Sequence, residues 1–170
     1  MQSQIIPELL DGVKAGFIGC PMGYRPSDIC CSAPTGSGKT LAFVVPIVQA
    51  LKGRVEPQVR ALVVLPTRDL ANQVYKVFEA YTSGTSLRIG MAYGLRSFTY
   101  EQEHLMRTKK GGQIADIVVA TPGRLVDHYS IAIDSTALST CQNLVSLHSN
   151  PRTCASFSSA LQSTESKANA

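Results

Sequence analysis

SAPTGSGKTLAF, residues 32–43, carries the pattern that decides the fold. It matches the phosphate-loop pattern G-x-x-x-x-G-K-[ST], with Ala33 standing at the first glycine position. Gly36 and Gly38 allow a tight turn that points backbone N–H groups inward. Those amides and the start of the following helix make a cradle for anions. Lys39 can reach the β- and γ-phosphates of a nucleotide, and Thr40 can offer its hydroxyl to Mg²⁺. The pattern requires a strand before the loop and a helix after it. Asp28-Ile29-Cys30-Cys31-Ser32 is short and apolar enough for a buried strand, and 41–51 is predicted as an apolar helix that Pro46 bends.

Outward from the loop, strand-like and helix-like segments alternate. Met1 to Leu10 is expected to be a short helix, and the Gly- and Pro-rich 11–27 a loop. Arg60-Ala61-Leu62-Val63-Val64-Leu65 and Ile117-Val118-Val119-Ala120 are continuous apolar runs, the pattern of strands buried on both faces. Leu87 to Ala92 is a weaker strand. Helical spacing covers 69–80, with Leu70, Val74, Val77 and Phe78 on one side. A polar helix is expected over 98–109, and a turn with a short helix over 121–128. This alternation indicates an α/β domain with a mostly parallel sheet flanked by helices. Ligands in such a sheet gather at the carboxyl ends of the strands.

Composition narrows the class further. A chain of 170 residues is one domain by length. A net charge of +4 permits an acidic partner without requiring one, because the charges are mixed along the chain. Five cysteines without a C-x-x-C pair argue against a zinc site or a disulfide framework. Cys30 and Cys31 are expected in the core. No apolar run approaches the ~18 residues of a membrane span, so no membrane contact is expected, and a reducing intracellular compartment is the default. Residues 131–170 hold nine serines and four threonines but four charged residues, and read as a poorly ordered extension.

Two further motifs follow strong strands: Pro66-Thr67-Arg68-Asp69-Leu70-Ala71 and Thr121-Pro122-Gly123-Arg124. Together with Ala33 to Thr40, and with Gln2 and Ile6-Pro7-Glu8-Leu9-Leu10, they resemble the DEAD-box RNA helicases, specifically the first of that family's two RecA-like domains. The resemblance covers about residues 1–130. It implies an incomplete RecA-like ATP-binding domain over 1–130, with 131–170 as an aberrant tail. ATP and Mg²⁺ are the implied cofactors and RNA the implied partner, with RNA-stimulated ATP hydrolysis in the full-length parent. Gln2 would read adenine. Ala33, Pro34, Thr35, Gly36, Ser37, Gly38, Lys39 and Thr40 would hold the phosphates and, through Thr40, the metal, with Lys39 and Thr40 serving the reaction. Pro66, Thr67 and Arg68, with Thr121, Pro122, Gly123 and Arg124, would grip the RNA backbone, which carries no base preference.

Helix capping competes for several of these positions: Thr67 can cap a helix and Pro122 suits a first helical turn. Gly94 sits where the family has a Gly-Gly pair that lets RNA approach, and Tyr93 takes the first place of that pair. Asp127 and His128 are adjacent on a helix, do not face each other, and read as structural or solvated.

The Asp-Glu-Ala-Asp tetrapeptide, from which the family draws its metal-holding and water-positioning carboxylates, does not occur in the sequence. Ile131-Ala132-Ile133-Asp134-Ser135 comes too early for it. The chain is therefore expected to lack turnover, and the change near Tyr129 reads as a splice, frame or gene-model boundary. Tyr24-Arg25-Pro26-Ser27-Asp28 and the long spacer before Ala33 resemble the nucleolar branch that works on large-subunit ribosome assembly, which implies a nuclear or nucleolar site and pre-ribosomal particles as partners. The alternative from another class is a non-catalytic nucleotide- and RNA-binding module, or decoy. An unrelated phosphate-loop enzyme such as a small kinase leaves the two arginine motifs unexplained.

Overall fold

The computed structural model describes residues 2–16, 29–53, 59–105, 114–131 and 143–146. The elements run α1 (Gln2–Gly16), α2 (Lys39–Leu51), β1 (Ala61–Val64), α3 (Arg68–Thr82), β2 (Ile89–Ala92), α4 (Phe98–Leu105), β3 (Ile117–Ala120), α5 (Pro122–Ile131) and β4 (Asn143–Ser146). The strands form one sheet in the order β2-β3-β1-β4, every pair parallel. This is the α/β architecture expected from the alternating pattern, incomplete as the resemblance implied.

Side-chain alternation on β1 and β3 divides the core in two. Ala61, Val63, Ile117 and Val119 face one side, where Phe43, Val44 and Ile47 of α2 and Val74 and Phe78 of α3 cover them. Phe43 and Phe78 meet there with ring centroids 6.2 Å apart. Leu62, Val64, Val118 and Ala120 face the other side and pack with Ala92, Ala115 and Leu125, with Leu105 of α4 at the margin. A parallel sheet needs both faces covered, and the unbroken apolar runs of β1 and β3 are the sequence form of that requirement. α2 continues through Pro46, which is buried within it.

The expected strand before the phosphate loop is not formed. Residues 29–34 have no regular secondary structure, and Ile29 is 43% exposed. Cys30 and Cys31 are exposed rather than core residues. Both sides of β1 are taken, by β3 and β4, and the run pairs with neither outer strand of the sheet, β2 or β4. The first helix also runs past Leu10 to Gly16, into the stretch expected to be a loop. Asn143–Ser146 lies inside the Ser/Thr-rich segment that suggested no element, yet pairs with β1 over four residues. Its backbone supplies the ladder, which a weak hydrophobic pattern does not announce. Residues 24–28, 106–110 and 132–142, and with them part of the expected 98–109 helix and most of Ile131–Ser135, lie outside the described residues, as do Cys20, Cys141 and Cys154.

Gly90 of β2 lies against Leu105 of α4. A Cβ built on it would lie 2.6 Å from Leu105 Cδ2 and 2.8 Å from Ala115 Cβ. Gly90→Ala is expected to overpack this junction and destabilise the chain by about 1–3 kcal/mol, read as a lower urea midpoint.

Candidate nucleotide and nucleic-acid site

Residues 35–38 turn sharply before α2, and the turn is made by two glycines, Gly36 and Gly38, each at φ 81°. Only glycine adopts this left-handed backbone without strain. Gly38 is constrained a second time. The Gln2 side-chain amide donates to its carbonyl oxygen at 3.2 Å, and a Cβ on Gly38 would collide with that amide. Gln2 is carried there by α1, which packs on α2. Ser37 Oγ donates to the Pro34 carbonyl at 2.7 Å and tightens the loop. Lys39 Nζ donates to the carbonyls of Ala33 at 2.5 Å and Pro34 at 2.6 Å. The ammonium thus lies along the loop, and a phosphate would take it over by exchanging those two bonds. Thr40 is the second residue of α2, half-buried beside Lys39.

A second group forms where β1, β3 and β2 end. Parallel register pairs Val64 with Ala120 and Ala92 with Ala120, so the next residues leave the sheet side by side. The Leu65 N–H donates to Ala120 O at 2.9 Å and the Thr121 N–H to Ala92 O at 3.1 Å, which fastens the three strand ends together. From these ends start Pro66-Thr67-Arg68, Thr121-Pro122-Gly123-Arg124 and Tyr93-Gly94. Thr67 caps α3, its Oγ1 accepting from the Leu70 N–H at 3.3 Å. Pro122 opens α5, where its missing N–H costs nothing. The capping roles and an exposed Arg68 coexist.

Gly94 has φ 78°, and a Cβ there would lie 3.3 Å from the Arg68 guanidinium, so that guanidinium rests against a bare backbone turn. Tyr93 does not obstruct the turn. Its side chain is buried inward, edge-on to Tyr75 at 6.2 Å, with its hydroxyl donating to Asn72 Oδ1 at 3.4 Å. Burial foremost, then the neighbouring Tyr75, Glu101 and Glu79, pushes its phenol up to about 12.

Glu101 on α4 joins this group, and no motif in the sequence pointed to it. The residue is 0% exposed. Its Oε1 accepts the Gly94 N–H at 2.8 Å, and its Oε2 accepts Arg124 Nε at 2.7 Å and lies 3.0 Å from His128 Nε2. Phe98 backs the cluster, stacked on His128 at 4.3 Å and 14° and lying 4.9 Å beneath the Arg124 guanidinium carbon. Burial raises the Glu101 carboxyl, but the hydrogen bonds from His128, Arg124 and Gly94 outweigh it, and the net effect holds it below its ordinary value. The adjacent Asp127 and His128 separate as helix geometry requires: His128 is buried against Glu101, while Asp127 is exposed, 3.7 Å from Arg124 Nη1. The sequence signal for Glu101 was limited to Ser97, whose Oγ accepts the Tyr100 N–H and starts α4, which puts an acid in the first turn. Which face of α4 that acid takes is a matter of packing.

Arg68, Gly94 and Arg124 are thus brought together. The hydrogen bonds of residues 33–40 stay within the loop and its helix or go to Gln2, and among the described residues none reaches this second group. Among the described residues no three His, Cys, Asp or Glu are grouped as a metal ion would require, and no helix is long and apolar enough to cross a membrane.

The family profile for "DEAD/DEAH box helicase" matches residues 1–146. The chain belongs to that family. The ATP-dependent RNA helicase DDX51 of Danio rerio is 58% identical over 130 residues, covering 75% of this chain and 20% of the relative. The Homo sapiens DDX51 is also 58% identical over 130 residues, with the same coverage. The ATP-dependent RNA helicase dbp6 of Schizosaccharomyces pombe is 44% identical over 128 residues, 75% of this chain and 20% of its own length. The chain therefore spans about a fifth of the length of these DEAD-box relatives. Among solved structures, a hypothetical ATP-dependent RNA helicase from Sulfolobus tokodaii aligns with a TM-score of 0.58 at 24% identity, over 88% of this chain and 45% of that one. At that identity the likeness is one of fold.

The lowered Glu101 carboxyl makes an acid-stability statement. Because its folded value lies below its unfolded one, its stabilisation is complete above the ordinary 4.5 and is lost as pH falls through the folded value. Thermal midpoints of the wild type are expected to fall more steeply below that pH than those of Glu101→Gln.

Proposed function

We propose that this chain binds Mg²⁺-ATP at residues 33–40 and an RNA backbone at the neighbouring ends of β1, β2 and β3. The observation that carries the RNA reading is the alignment of those three ends, which sets the Arg68 guanidinium against Gly94 and ties Arg124 to the same turn. Guanidinium forks match phosphate oxygens, and a bare glycine turn lets a sugar-phosphate chain come close. Thr67, Pro66, Thr121, Pro122 and Gly123 hold these groups in place and add hydroxyl and amide donors. No base edge is addressed, so no sequence preference is expected.

The nucleotide reading rests on the glycine turn and on Gln2 docked against Gly38. Residues 33–38 fit a phosphate chain, Lys39 its charge, Thr40 the metal, and Gln2 the adenine. Bound Mg²⁺ would neutralise charge on the β- and γ-phosphates. The relatives named ATP-dependent RNA helicases support ATP and RNA as ligands, and the full-length parent is read as an RNA-stimulated ATPase. The resemblance of 24–28 to the ribosome-assembly branch adds pre-ribosomal particles and the nucleolus to this reading.

One observation favours binding without turnover. β4 begins at Asn143, close to the distance past Arg124 where the Asp-Glu-Ala-Asp strand is expected, and it reads Asn-Leu-Val-Ser with no carboxylate. Hydrolysis needs such acids to hold the metal and orient water. The chain then acts as a nucleotide- and RNA-binding module.

Lys39→Ala is expected to weaken Mg²⁺-ATP affinity about ten-fold or more, measured with a fluorescent ATP analogue, because a charge-assisted phosphate contact is lost. Wild-type chain that ATP does not protect from proteolysis would overturn the nucleotide reading. For RNA, Arg68→Ala and Arg124→Ala should each lower the slope of log affinity against log salt by about 0.7, the share of one phosphate on a single strand. Unchanged slopes would remove both arginines from the interface.

A further inference from the structure

Resting on the RNA reading above, we infer that Glu101 is a positioning residue: its buried carboxylate locks the Gly94 turn and Arg124 into one shared geometry, so that the two present themselves to RNA as a unit. The turn lies at the end of β2 and Arg124 in the first turn of α5, and the Glu101 carboxylate bonds to both. Oε1 fixes the backbone of the turn through the Gly94 N–H at 2.8 Å. Oε2 fixes Arg124 through Nε at 2.7 Å. Binding at Nε, rather than at the fork, fixes the plane of the guanidinium while directing its anchoring bond inward. The Arg124 side chain keeps 22% of its surface exposed although its partner has none. Phe98 stops the guanidinium from rolling, since the Arg124 cation lies over its ring.

The groups facing the carboxylate come from outside α4. They are the Gly94 amide after β2 and Arg124 and His128 on α5, while α4 itself carries the carboxylate and is held at its start by the Glu101 N–H bond to the Ser97 carbonyl at 3.1 Å. His128 completes the set by occupying the rest of Oε2, 3.0 Å away. Asp127 faces Arg124 from outside at 3.7 Å and is too exposed to replace Glu101 as its anchor. The opposite side of the Gly94 turn carries the Arg68 guanidinium. Displacement of the turn would therefore disturb Arg68 and Arg124 together. Glu101 touches no ligand in this scheme and acts through those it holds.

The test is a double-mutant cycle on the purified 170-residue chain with fluorescein-labelled decauridine as the probe. Glu101→Gln keeps an acceptor for Gly94 but removes the charge that holds Arg124. It is expected to weaken decauridine binding about ten-fold, the scale of one charge-assisted contact, and to lower the salt slope as Arg124→Ala does. Affinity for the ATP analogue should stay unchanged. The Glu101→Gln, Arg124→Ala double variant should bind no more weakly than Arg124→Ala within about two-fold, because one residue acts through the other.

Additive losses, or an unaffected Glu101→Gln beside a weakened Arg124→Ala, overturn the positioning role and leave the RNA reading intact. Wild-type chain that does not bind decauridine overturns both. Should Glu101→Gln lose ATP binding through misfolding, the wild type supplies the test by NMR. The Gly94 amide and the Arg124 Nε–H should move along one titration curve with decauridine, and movement of the Arg124 signal alone overturns the proposal.

Discussion

Parallel, in-register pairing of β1, β3 and β2 is the constraint from which the rest follows. Strands that run the same way and start level end level, so the three turns that leave them must share one edge. The Leu65 and Thr121 amides then bond across to the neighbouring strands beyond the ladder proper and carry the alignment into the turns. Two arginines distant in sequence become neighbours without any direct attraction between them. Like charges would resist such an approach, and the buried Glu101 carboxylate offsets that at the Arg124 side. The apolar cost of the arrangement is met by helices on both faces, which is why β1 and β3 carry no polar position.

The phosphate loop is organised differently. It is anchored through α1 and α2, by Gln2 on the Gly38 carbonyl and by Lys39 on the carbonyls of Ala33 and Pro34. A phosphate, itself an acceptor, would compete with the Ala33 and Pro34 carbonyls for the Lys39 ammonium, and an exposed loop leaves water to satisfy the carbonyls it displaces. The group at the strand ends lacks that freedom. Its bonds run to a carboxylate with no exposed surface, and its glycine turn is held by Glu101 with the Arg68 guanidinium beside it.

Capping and an outward guanidinium are compatible at both arginine motifs because they use different atoms. Thr67 closes α3 through its hydroxyl while Arg68 projects from the first helical turn. Pro122 starts α5 and Arg124 follows two residues on, which leaves its side chain at the helix entrance beside Glu101. A helix start next to a strand end is thus both a structural joint and a place where donors converge.

Local chemistry was enough to read the glycine turn at 36–38, the apolar runs at 60–65 and 117–120, the helical spacing over 69–80 and the arginine motifs. Each depends on residues close together in the chain: φ-permissive glycines, unbroken apolar runs, helical spacing and caps. Non-local competition decided the remainder. Ile29 to Ser32 has strand-like composition, but β3 and β4 hold both edges of β1, and β4 comes from a stretch whose composition argues for no element at all. Tyr93 was an ambiguous intruder in sequence, and only packing under α3 turned its ring away from the Gly94 turn. Glu101 is one acid in a polar helix until the fold closes water away from it and leaves Gly94, Arg124 and His128 as its partners. Burial of a charge is a property of the whole assembly, so no window of sequence contains it.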